Sequence, residues 1–115
     1  MTIVVATLAV VRAPWLVPPF VRLSARCVRQ ALEAPGNAGA EVRARSPLTW
    51  CTLTGWESED DLRAYVRSGD HADAMAQTAR FLRASRFARL GSRGRVDSAL
   101  WPAALEALDG APLRT

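Results

Sequence analysis

Ala40-Glu41-Val42-Arg43-Ala44-Arg45, then Ser46-Pro47, then Leu48-Thr49-Trp50-Cys51-Thr52-Leu53-Thr54-Gly55-Trp56 is the stretch that decides the fold. Ala40, Val42 and Ala44 alternate with Glu41, Arg43 and Arg45, the period of two that a strand imposes on its side chains. Ser46-Pro47 turns the chain, and residues 48–56 return it as a second strand of a hairpin. On that return strand Leu48, Trp50, Thr52 and Thr54 share one face, and Thr49, Cys51 and Leu53 share the other. Ser58-Glu59-Asp60-Asp61 follows at once and has the spacing of a capping box. The Ser58 oxygen can accept from the Asp61 amide while the Asp61 carboxylate reaches back.

Working outward toward the N-terminus, Thr2 to Arg12 is rich in Ile, Val and Thr, the composition of a buried strand. Ala13-Pro14-Trp15 leads out of it, and Pro18-Pro19 opens a helix running to about Ala34. Phe20, Val21, Ser24, Cys27, Val28, Ala31 and Leu32 fall on one helical face, opposite Arg22, Arg26 and Arg29. Pro35-Gly36-Asn37 ends the helix. Toward the C-terminus, Leu62, Tyr65 and Val66 are the inward positions of the capped helix, and Ser68-Gly69 breaks it. Asp70, with Asp73 three residues on, caps a second helix carrying Met75, Ala79 and Leu82 on one face. Arg86 to Leu90 is the last strand, ended by Gly91 and Gly94, and Trp101 to Leu108 is a short tail helix. The order is βαββαβ, which predicts one α+β domain of ferredoxin-like type over residues 1–115. Its four-stranded antiparallel sheet carries helices on one face. Because the opposite face is apolar too and no helix is assigned to it, a second copy of the chain is expected to cover it.

The 115 residues suffice for one core, and the composition is that of a globular domain. All fifteen basic residues are Arg, spread without runs, so the net charge of +4 does not argue for nucleic acid. Cys27 and Cys51 are far apart, with no CxxC and no His/Cys cluster, which argues against zinc and for free thiols in a reducing compartment. Ile3 to Val11 lacks the preceding positive charge of a signal peptide and is too short to span a bilayer. A cytoplasmic protein without a membrane partner is expected.

Leu53-Thr54-Gly55-Trp56-Glu57-Ser58, Asp61-Leu62-Arg63-Ala64-Tyr65, Ser68-Gly69-Asp70-His71, Met75 and Phe87-Ala88-Arg89 together resemble the dimeric α/β-barrel superfamily. The likeness is greatest to its antibiotic-biosynthesis-monooxygenase and spheroidene-monooxygenase-like branches. It is carried by residues 48–90; the first strand and helix agree in order and type. The resemblance implies a homodimer and relatives that include cofactor-free oxygenases, aromatic polyketide cyclases, haem-handling enzymes and proteins without known activity. Many members carry an aromatic pair, often Trp-Phe, late in the second helix, where this chain has Arg80-Phe81-Leu82. The Asn-Trp-His set of haem-degrading members is absent.

His71, the only histidine, stands in the first turn of the second helix, where the positive helix end favours a neutral ring. Such a ring can serve as a general base or as an axial haem ligand; it can equally be a capping or surface histidine. No cofactor is expected, haem through His71 being the one alternative. Four tryptophans are many for this length. Trp56 and Trp101 are expected in the core, while Trp50 suits either core or the wall of a pocket for a flat substrate. Arg43, Arg45, Arg86 and Arg89 lie on strands; one turned inward could hold a phenolate or carboxylate, and solvated edge positions are the plainer reading. Tyr65 could donate a proton, though its spacing with Leu62 suits packing. The acids from Glu57 to Asp73 belong at helix N-termini, and no metal site is expected.

These readings converge on a pocket between the sheet and the second helix. His71 and Arg89 are its expected catalytic residues, and Trp50, Met75, Tyr65 and Thr52 its substrate-binding residues. The expected function is a monooxygenase-like enzyme of secondary metabolism acting on a hydrophobic, polycyclic or polyketide-like compound. The alternatives are a cofactor-free cyclase or isomerase and a non-catalytic dimeric small-molecule-binding protein.

Overall fold

In the computed structural model, which describes residues 1–115 with the side chain of Asp70 excepted, four strands pair in the order β2-β3-β1-β4. They are β1 (Thr2–Val11), β2 (Asn37–Ala44), β3 (Thr49–Trp56) and β4 (Leu82–Ser92). Every neighbouring pair is antiparallel, the arrangement of the expected ferredoxin-like fold. The helices are α1 (Val17–Glu33), α2 (Glu59–Val66), α3 (Gly69–Ala76), α4 (Thr78–Phe81) and α5 (Trp101–Asp109).

Register assigns each side chain to a face. Val5, Thr7 and Ala9 of β1 lie opposite Thr54, Thr52 and Trp50 of β3 and beside Arg89, Phe87 and Ser85 of β4. This is the helix face. Trp56 packs here with Ala31 of α1 and with Leu62 and Tyr65 of α2. The Thr7 and Thr52 hydroxyls hydrogen-bond across the strands, a cross-strand pairing of the kind that stabilises sheets.

The opposite face carries Val4, Ala6, Leu8, Cys51 and Leu53, and it is not left uncovered as the sequence suggested. α5 crosses it, burying Trp101, Ala104 and Leu108 in one cluster with those strand residues and Val96. Fully burying a side chain the size of Leu108 contributes about 1.5–3 kcal/mol, and an alanine methyl such as that of Ala104 about 0.8 kcal/mol. Strand side chains on this face fasten α5 further. Trp101 Nε1 donates to Glu41 Oε1 at 2.8 Å, and Arg43 stands over the Trp101 ring. Arg45 makes a two-pronged pair with Asp109 at 2.7 and 3.0 Å. The premise for a second copy on this face, an exposed apolar surface, is therefore replaced by a helix of the same chain. Gly39, at φ 106°, lets the segment leading to α5 run close against β2; a Cβ there would come within 2.9 Å of the Val96 carbonyl oxygen.

Several boundaries differ from the sequence reading. α1 buries Leu23 and Ala31 most deeply, whereas Leu32 is exposed. The second helix breaks at Gln77 into α3 and α4, and Leu82 already belongs to β4, which begins four residues earlier than expected. The Ser58 capping box forms as predicted at its first bond, Asp61 N to Ser58 Oγ at 3.1 Å. The Asp61 carboxylate then accepts from the Ser58 hydroxyl at 2.8 Å. Ser68 is the N-cap residue of α3; the capping role assigned to Asp70 falls on a side chain outside the described residues.

Candidate functional site

Two cavities open on the helix face, both along β4. The first, of about 510 Å³, lies between β4 and α2 and is lined by Val5, Leu62, Val66, Phe87 and Ala88, with Arg63, Arg67 and Arg89 around it. The second, of about 500 Å³, lies between β4 and the α3–α4 segment; its walls include Arg12, Met75, Ala79, Leu82, Phe87 and Arg114. Phe87 belongs to both. The capping box sets the start of α2 and turns Leu62 toward the sheet, while antiparallel pairing places Phe87 and Arg89 on the same side as Val5.

Arg89 makes a two-pronged contact with Glu59 of the first turn of α2, one of its two hydrogen bonds measuring 3.2 Å. The guanidinium holds the Glu59 carboxyl below its ordinary range, so the pair is ionised at neutral pH. Arg63 approaches Asp60 at 3.9 Å, and Arg67 has no ion pair among the described residues. The first cavity thus has an apolar floor and guanidinium groups at its rim, a chemistry that suits a flat apolar molecule bearing one anionic oxygen.

The expected site residues are not gathered in one pocket. Arg89 lines the first cavity and Met75 the second; His71, Tyr65, Trp50 and Thr52 line neither. His71 packs against Tyr65 with ring centroids 4.7 Å apart and the rings tilted by 56°, and Tyr65 in turn packs against Trp56 at 4.8 Å with a tilt of 30°. Tyr65 donates its hydroxyl proton to the Cys27 carbonyl at 3.0 Å, a packing role rather than an acid's. Burial lowers the His71 pKa, opposed by a hydrogen bond to the Val66 backbone, and His71 Nδ1 is buried without a partner. The ring is therefore neutral at pH 7, through burial more than through the helix end. Packed against Tyr65, the ring lines neither cavity. Thr52 is engaged by Thr7, and Trp50 is half-buried with Nε1 donating to the Pro47 carbonyl at 3.2 Å.

Trp56 and Trp101 are buried, as their positions indicated, and Cys51 is a buried free thiol whose pKa burial raises. No group of three or more metal-binding side chains occurs among the described residues, and no helix there is long and apolar enough to cross a membrane. The sequence reading missed Phe87 and Val66. The signal was present in Phe87 sharing a strand face with Arg89 two residues on, and in the i, i+4 pair Leu62–Val66.

Residues 1–77 match the family model for antibiotic biosynthesis monooxygenases. The chain belongs to this family. Solved structures agree in fold. Rv0793 from Mycobacterium tuberculosis superposes with a TM-score of 0.72 at 15% identity, over 86% of this chain and 99% of that one. A conserved protein from Methanosarcina mazei gives 0.70 at 19% identity, over 81% and 94%. SnoaB from Streptomyces nogalater, a cofactor-independent oxygenase crystallised as a mutant, gives 0.63 at 16% identity, over 84% and 97%. No curated protein matches the sequence. The family match ends before α4, β4 and α5, so both Phe87 and the helix that closes the far face lie beyond it.

Proposed function

We propose that this family member is a cofactor-independent, monooxygenase-like enzyme of natural-product metabolism, acting on a flat, polycyclic phenol in the cavity between α2 and β4. The observation that carries the reading is the joint presence of an apolar cavity of about 510 Å³ and the Arg89 guanidinium on its wall. SnoaB, a cofactor-independent oxygenase of the same fold, supports the reaction type. The substrate ring lies against Val5, Leu62, Val66 and Phe87, and its phenolic oxygen, having released its proton to water, accepts from the Arg89 N–H groups that the Glu59 pair leaves unused. The phenolate charge spreads to a ring carbon, which forms a bond to dioxygen. Protonation gives a hydroperoxide; loss of the C–H proton and cleavage of the O–O bond then release water and leave a quinone. One phenol and one dioxygen become one quinone and one water. His71 supports Tyr65 by packing in this scheme, because the structure places it away from the cavity wall.

Oxygen uptake by purified protein over a panel of polycyclic phenols tests the proposal. Uptake with water and quinone formed one for one is the expected result. Arg89→Ala should lower kcat/KM by about a hundred-fold, the scale of losing one preorganised donor at a developing anion, with Arg89→Lys recovering part of it. Binding without oxygen uptake would favour a cyclase or a binding protein using the same cavity, since both cavities open to solvent.

A further inference from the structure

Beyond α5 the chain does not end on the face that α5 covers. It rounds the edge of the sheet. Arg86, on the α5 side, donates from Nη1 to the carbonyls of Ala111 at 2.6 Å and Asp109 at 3.4 Å, holding the turn. Three residues later Arg114 pairs with Ser85 on the outer edge of β4, each donating its N–H to the other's carbonyl at 2.8 Å. The Arg114 guanidinium then lies over the Phe87 ring on the helix face, 5.1 Å from its centroid. Phe87 is the wall common to the two cavities, and Arg114 lines the second.

We propose that the segment 111–115 is a strap that fixes the length of substrate the enzyme accepts, with Arg114 the positioning residue and Phe87 the partition it holds. This rests on the cavity reading above. Phe87 is 37 % exposed and stands between the two cavities, so a turn of its ring would open one into the other. The cation over its face, tethered through the Ser85 pairing, restrains that turn. With the partition in place, a substrate is confined to the cavity beside α2; with the partition released, the two cavities join into one groove along β4 that admits a longer molecule. Beyond the Arg86–Ala111 bond at its start, the strap is held by one backbone pair and one ring contact, whereas α5 is anchored through the core. A point change at Arg114 therefore alters the groove without unseating α5.

Fluorescence titration of the full chain with two probes, a bicyclic naphthol and a linear tetracyclic phenol, tests this. The expected wild-type preference is for the naphthol. Arg114→Ala and, independently, Phe87→Ala should shift the Kd ratio toward the tetracycle by about five-fold or more; in Arg114→Ala, a residue outside the α2 cavity, the naphthol Kd should change less than about two-fold. Arg114→Lys, which keeps a cation over the ring, should retain the wild-type ratio. Binding of both probes with an unchanged ratio in Arg114→Ala overturns the strap inference alone. Failure of the wild type to bind either probe overturns the cavity reading and the strap with it.

Discussion

The two faces of the sheet are built from similar strand residues and meet different fates. On one, Val4, Ala6, Leu8, Cys51 and Leu53 are sealed by α5, and the charged residues of β2 are drawn into fastening it. On the other, α1 and α2 close over Trp56 and Tyr65 but leave β4 beside open space, so that Phe87 and Arg89 face cavities. The sealed face holds most of the buried core beneath α5, and the open face holds the cavities. A sheet flanked by helices can close one side completely and still hold a site, provided the closing helix is a separate element.

That contrast is sharpest in core truncations. Trp101→Ala should destabilise the chain by about 3–5 kcal/mol in a urea titration, since it removes a buried indole and leaves Glu41 without its partner. Phe87→Ala on the open face should cost under about 1.5 kcal/mol. Equal costs would break the comparison. Ending the chain before α5 exposes the sealed face, so the shortened chain should sediment as a larger species than the full chain at the same micromolar concentration. An unchanged sedimentation coefficient would show that α5 is not what keeps this face from a second copy.

A smaller effect is expected from pH. The folded His71 pKa lies below the ordinary 6.5, so the neutral ring is the form the fold prefers. Its contribution to stability is complete above about pH 6.5 and is lost as pH falls through that value toward the folded pKa. The melting temperature should therefore drop between pH 7.5 and 5.5, and His71→Phe should flatten that drop. The same slope in the variant would place the proton elsewhere. The smallest effect concerns Arg45 and Asp109, both well exposed. Asp109→Asn should cost at most about 1 kcal/mol and less in high salt.

The sheet was legible because its signals are local. The alternation of Ala40–Arg45, the Ser46-Pro47 turn and the Ser58 capping box each constrain a few adjacent residues, and all three form. Trp56 and Trp101 could be assigned to the core for the same reason. The role of α5 was not legible. Trp101, Ala104 and Leu108 announce an amphipathic helix, but nothing in their spacing names the surface they cover, and Glu41, Arg43 and Arg45 have the pattern of a solvated strand face. The end of the second helix was hidden because Met75, Ala79 and Leu82 keep helical spacing across the break at Gln77. They still meet at one cavity wall, from two helices and a strand. His71 was the natural sequence choice as the only imidazole; its packing against Tyr65 is a tertiary contact that no spacing reveals.

The central claim, that chemistry takes place in the cavity between α2 and β4, is tested most directly by filling that cavity. Val66 stands at its lip and is already 36 % exposed, so Val66→Trp adds an indole there at little cost to the fold. Oxygen uptake with the best phenol of the panel should fall at least ten-fold in this variant, with an unchanged melting temperature. Full uptake by a folded Val66→Trp protein would contradict the account and move the reaction away from this cavity.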